Sequence, residues 1–141
     1  MSDVSTFRLY LLRALYLFIA LGLVFTIWPD ILAPRPNLSH MDTVVRSFLG
    51  ALSLLALLGV RYPLAMMPLL FFELLWKVIW LVFYGYDLYT ARKLTAGSGQ
   101  TFSTGIMALV IIPPVIPWGY VWRQYVRAAG DRWWGKSAAP R

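Results

Sequence analysis

Within an otherwise apolar run, Pro63 to Tyr84, two ionisable side chains stand four residues apart, Glu73 and Lys77. In a helix they lie one above the other on one face, acid before base, which is the favourable order for an i,i+4 ion pair. Glu73 is ten residues into the run. That places it about 15 Å along the axis, near the middle of a hydrocarbon layer about 30 Å thick. Two chemistries are open to such a pair. It can be an internal salt bridge in which each charge quenches the other. Alternatively it is a polar binding or proton-handling site, because charges inside a membrane face the protein interior or a wet cavity. Insertion of each charge costs about 2.5–3.5 kcal/mol, and the Leu, Ile, Val and Phe residues of the run return about 5 kcal/mol together. This helix is marginal alone and needs its neighbours.

Those neighbours offer more groups at the same depth. Across a tight turn, Gly59-Val60-Arg61-Tyr62-Pro63, Gly50 is level with Glu73 and Arg46 with Lys77. Arg46, Gly50, Ser53 and Leu57 share one face of the preceding helix, and Glu73, Lys77, Trp80 and Tyr84 share a stripe of theirs. Small residues let helices approach closely and a serine can hydrogen-bond across. Facing the two stripes brings Arg46 toward Glu73, giving one carboxylate flanked by two cations. Further along, Pro113, Pro114 and Pro117 interrupt the last apolar run. Each proline removes a donor and clashes with the carbonyl four residues earlier, which frees Leu109, Val110 and Pro113. Ile112 is level with Glu73, so Lys77 is placed to donate to a freed carbonyl. Broken helices at this depth mark sites in transporters and are also ordinary kinks.

The elements that must carry these residues follow from composition. Of the 141 residues 60% are hydrophobic and 13% charged, about half the usual charged share. The spacing predicts an all-α, polytopic membrane four-helix bundle, antiparallel and up-down, with the fourth helix kinked or broken by its prolines. The helices are expected at about 7–28, 42–60, 63–84 and 102–122, followed by a basic cytoplasmic tail, 123–141. Ser5 or Thr6 caps the first helix and Pro29 stops it. A cleaved signal peptide ending near Ile31-Leu32-Ala33 is the rival reading, opposed by the length of the apolar stretch and by Pro34 after the cut. Residues 29–42 are a loop of turn formers, and Ser39 with Asp42 forms a capping box for the second helix. A second loop runs from Gly85 to about Thr101, and the last residues, Lys136 to Arg141, are expected to be disordered.

The formal charge of +7 does not point to nucleic acid, because the basic residues lie at the ends of the apolar runs among Trp and Tyr, as at a membrane interface. With the N-terminus inside, the inner side holds Arg8, Arg13, Arg61, Arg123, Arg127, Arg132, Lys136 and Arg141. The outer side holds Arg35, Arg46, Arg92 and Lys93. Eight against four favours both termini in the cytoplasm, in a bacterial inner membrane. Arg123, Arg127 and Arg132 with Trp133 and Trp134 suit an anionic lipid surface, though topological anchoring is the simpler account; Arg13 is expected to snorkel to the headgroups. There is no cysteine, which excludes disulfides and thiol chemistry. His40-Met41-Asp42 falls short of a metal site, so no metal, no cofactor and no catalytic residue is expected.

Phe71-Phe72-Glu73-Leu74-Leu75-Trp76-Lys77-Val78-Ile79-Trp80 resembles a segment of small bacterial membrane proteins, and the four-helix plan with an Arg-bearing first helix is similar to the DoxX-like group. The resemblance implies a four-helix membrane fold and carries no site residue with it. Small multidrug exporters also have four helices and a buried Glu, but theirs lies in the first helix, where this chain has no acid. The function expected is binding of a partner subunit or a lipophilic small molecule through a polar pocket at the midplane, and the association expected is a homo-oligomer or a membrane partner subunit. A proton- or ion-coupled transporter using Glu73 is the competing reading, and a membrane enzyme comes last.

Overall fold

The computed structural model describes residues 4–33 and 36–135, and all regular structure among them is helical. The elements are α1 (Thr6–Thr26), α2 (Trp28–Leu32), α3 (His40–Arg61), α4 (Met67–Trp80), a π-helical turn (Leu81–Gly85), α5 (Tyr86–Thr90), α6 (Ala96–Val115), α7 (Trp118–Val121) and a final π-helical turn (Trp122–Arg127). Among the described residues, four stretches are long and apolar enough to cross a membrane: Thr6–Leu32, His40–Arg61, Met67–Thr90 and Ala96–Val115. Arg35, Lys136 and Arg141, which entered the charge asymmetry, lie outside the described residues, as do Pro34 and the expected disordered end.

The helix ends show where local chemistry prevails over composition. Ser5 caps α1 by accepting from the Arg8 backbone N–H. Pro29 does not end the first span: it sits in the first turn of α2, where a missing N–H costs nothing, and helical structure continues to Leu32. The capping box of α3 is present, with Ser39 Oγ accepting from the Asp42 N–H and the Asp42 carboxylate accepting from the Ser39 N–H. The third span starts at Met67 rather than Pro63 and runs through the π turn and α5 to Thr90. The fourth begins at Ala96, because Thr95 and Ser98 form a second capping box. Its polar opening, Ala96-Gly97-Ser98-Gly99-Gln100, reads as loop by composition, yet the cap recruits it into helix.

Two seams position the site. One buries Leu12, Leu15 and Tyr16 of α1 against Met67 and Leu70 of α4 and Ala108 and Ile112 of α6, with Ile116 just beyond that helix. The other lays α1 and α2 along α3. Gly59 allows it: a Cβ there would collide with the ring of the fully buried Tyr16. That ring is fixed at its far end, where the Tyr16 hydroxyl donates to the Pro63 carbonyl at 2.9 Å. Gly50 allows a similar approach for α2, with Ile31 at 3.0 Å from a notional Cβ.

Candidate functional site

Glu73 is buried, only 5% exposed, two turns into α4. Each of its oxygens has a donor from its own helix. Lys77 Nζ closes on Oε1 as a direct ion pair and hydrogen bond. Trp76 Nε1 donates to Oε2 at 3.0 Å. The ammonium also lies 5.4 Å from the centre of the Trp76 ring, within reach of its electron-rich face. Residues i, i+3 and i+4 of one helix therefore clamp the carboxylate before any neighbour is needed. The pair expected from spacing is formed, and Trp76 is a partner that the sequence reading did not name. The signal was present in the i,i+3 interval from Glu73.

What surrounds the clamp differs from the expectation. A cavity of about 40 Å³ touches both charges, walled by Leu15, Phe18 and Ile19 of α1 and by Thr104, Met107, Ala108, Ile111 and Ile112 of α6. The faces opposite Glu73 thus belong to α1 and α6. A space of this size holds about one water molecule. It is far below the roughly 300–1,000 Å³ of clefts that take drug-sized ligands.

Arg46 does not line that cavity. Its Nη1 lies 2.7 Å from Asp30 Oδ2, tying α3 to α2 near the other end of the first span. The contact is ionic in distance but not aligned as a hydrogen bond. The expectation of a carboxylate flanked by two cations is therefore corrected: helical structure continuing past Pro29 presents Asp30 as the nearer acid. Ser53 is fully buried, but in this same seam, accepting from Trp28 Nε1 at 2.9 Å and donating to the Gly50 carbonyl at 2.6 Å. Trp80 packs on Gly85, where a Cβ would meet its ring at 2.8 Å. Arg46, Ser53 and Trp80 do not line the pocket of the pair.

The bonding around the prolines also differs from the expectation. Helix α6 keeps its form through Pro113 and Pro114 and ends at Val115, and Pro117 caps α7. The carbonyl of Pro113, freed by Pro117, accepts from Trp118 Nε1 at 2.9 Å. The next three, Pro114, Val115 and Ile116, accept from Arg8 Nη1 at 3.1, 3.4 and 3.2 Å. Lys77 is engaged by Glu73 and makes no bond to these carbonyls; a guanidinium from α1 does so. A cation at a helix C-terminus also opposes the negative end of the helix dipole. Arg13 acts alike, with Nε donating to the Val60 carbonyl in the last turn of α3 at 3.1 Å, so it is tied inward rather than snorkelling.

The tail residues Arg123, Arg127, Trp133 and Trp134 are exposed, the two indoles at 92% and 87%. Tyr125 docks its ring edge-to-face on Phe71, with centroids 5.5 Å apart. Burial, and secondarily Tyr120, hold its hydroxyl above the ordinary tyrosine range. No cluster of three or more metal-binding side chains occurs among the described residues. Compared with known proteins, the chain matches no family model, no curated protein and no solved structure.

Proposed function

We propose that this is a small multi-pass protein of the bacterial inner membrane, an up-down bundle with both termini cytoplasmic, that works by binding another transmembrane segment. The observation that carries this reading is on the outer face of α3. Thr43, Ser47 and Ala51 recur there at four-residue intervals, all exposed, along a shallow, open groove on this one helix, bordered by Val44 and Phe48. Small residues at this interval are how membrane helices come close enough to pack. The two hydroxyls are already satisfied within the helix, Thr43 donating to the His40 carbonyl and Ser47 to the Thr43 carbonyl. The groove therefore presents no unmet donor and suits an apolar helix. The midplane cavity, at about 40 Å³, leaves no room for a lipophilic molecule. On this reading Glu73 and Lys77 form a neutralised internal brace.

The occupant tested first is a second copy. The chain contains no cysteine, so single cysteines placed in membranes report their own contacts. Ser47→Cys and Ala51→Cys should give oxidised dimers, while Val45→Cys and Val82→Cys, exposed on other faces, should not. Absence of dimer at 47 and 51, or equal dimer at all four, overturns a second copy as the occupant. A second reading, a proton- or ion-coupled transporter using Glu73, is favoured by the water-sized cavity touching both charges. It requires Glu73→Gln to abolish pH-dependent flux in proteoliposomes while the protein stays folded.

A further inference from the structure

A larger recess lies at the end of the molecule where α1 begins and α6 stops. It measures about 460 Å³ and is lined by Ser5, Arg8, Pro117, Trp118, Tyr120 and Arg123, among others. Two guanidinium groups from distant parts of the chain border one groove. Arg8 is half-buried and held by the three carbonyls at the end of α6, all through Nη1. Among the described residues its Nε and Nη2 have no acceptor. Arg123 folds back along its own segment, its Nη1 lying 3.6 Å from where a Cβ of Gly119 would stand. Trp118 and Tyr120 supply apolar walls with polar tips, the side-chain character found at the headgroup level of a bilayer. The first turn of α1, capped by Ser5, opens into the same recess, adding the positive end of a helix dipole.

The geometry points to a phosphate site: the Arg8–Arg123 recess takes an anionic phosphate group, esterified or free, with the guanidinium groups as its donors. Arginine suits this role because its planar fork matches phosphate oxygens in pairs. Arg8 is also held in place before any anion arrives, so little of its freedom remains to be lost on binding. The site does not include the exposed Arg127, Arg132, Trp133 and Trp134, and it is independent of the α3 groove. Two sources share the chemistry, the headgroup of an anionic phospholipid and free inorganic phosphate.

The test uses the full chain in nanodiscs. Protein reconstituted in mixed phosphatidylglycerol and phosphatidylcholine is extracted, and retained phosphatidylglycerol is counted by native mass spectrometry. Arg123→Gln, an exposed position, should reduce retention by at least about tenfold, the loss expected for a charge-assisted hydrogen bond. Arg127→Gln and Arg92→Gln should change it little. Competition by millimolar inorganic phosphate, lost in Arg123→Gln, identifies a free-anion site; retention unaffected by phosphate identifies a lipid headgroup site. Either result supports the recess. Equal losses of about fivefold from every arginine, the signature of diffuse surface attraction, would overturn it, as would phosphatidylglycerol retention no better than that of phosphatidylcholine.

Discussion

Replacing Lys77 by methionine isolates what the ion pair contributes. Methionine keeps most of the stem that packs beside Trp76 and removes the ammonium. Glu73 is then left 5% exposed with one donor, the Trp76 indole. Breaking a buried pair by removing one partner costs about 3–5 kcal/mol, since an uncompensated charge remains. Glu73→Gln should cost less, because the Lys77 side chain is 13% exposed and its flexible stem can carry the ammonium toward water. The double variant Glu73→Gln, Lys77→Met removes both charges, and Trp76 can still donate to the amide oxygen. It should return to within about 1 kcal/mol of the parent, since neutral replacement of buried pairs is often harmless. The cycle thus yields a coupling of a few kcal/mol. Reversible unfolding of the chain in bicelles, followed by steric trapping, measures each corner. If Lys77→Met costs less than about 1 kcal/mol, as an exposed pair would, the neutralised-brace account of Glu73 is wrong.

The second ion pair gives the contrast. Arg46 and Asp30 are 23% and 28% exposed, so Asp30→Asn should cost no more than about 1 kcal/mol in the same assay. Gly59→Ala drives a methyl into the Tyr16 ring and should destabilise by about 1–3 kcal/mol, whereas Gly22→Ala, which meets nothing within 4 Å, should not. Ser53→Ala strands the Trp28 indole N–H at a cost of about 1–3 kcal/mol, visible as a shift of its fluorescence as well as in unfolding. Burial raises the Tyr125 hydroxyl above its ordinary value near 10, so the folded state favours the neutral phenol. The corresponding stability is fully present below about pH 10 and is lost as pH rises through the folded value; Tyr125→Phe should remove that alkaline step from a pH titration of stability.

Spans and the Glu73–Lys77 pair were legible because both rest on local patterns, a hydrophobic run of fixed length and an i,i+4 interval. The capping box at Ser39 and Asp42 was legible for the same reason. Extension of the first span past Pro29 was harder to read, since proline is a stop inside a helix and a good residue in its first turn, and only the structure distinguishes the two. Consequently Asp30 was missed as the partner of Arg46. The placing of Arg46 opposite Glu73 failed for a related reason. Register across a hairpin fixes depth, but which face turns to which neighbour is decided by packing, and Gly50 and Ser53 are occupied by Trp28 and Ile31 of α2.

The carbonyls at the end of α6 teach the same point from the opposite direction. The prolines announced freed acceptors at Leu109, Val110 and Pro113, of which Pro113 accepts from the nearby Trp118, but nothing local names a donor for the carbonyls that end α6, Pro114 to Ile116. In a low-dielectric layer an unsatisfied carbonyl is costly, so a donor had to come from somewhere in the fold. The structure supplies it from α1 three times over: Arg8 to Pro114, Val115 and Ile116, Arg13 to Val60, and Tyr16 to Pro63. The first helix thereby closes the ends of both its neighbours and the turn that starts the third span. An arginine this close to the start of a span would usually be assigned to orientation alone. Here the same side chains satisfy backbone carbonyls and, in the orientation proposed above, carry the inner positive charge, which predicts that Arg13→Gln lowers stability while leaving topology unchanged. Protease protection of epitope tags at the two ends reads topology, and bicelle unfolding reads stability. Inversion without destabilisation would show that Arg13 serves orientation and not the end of α3.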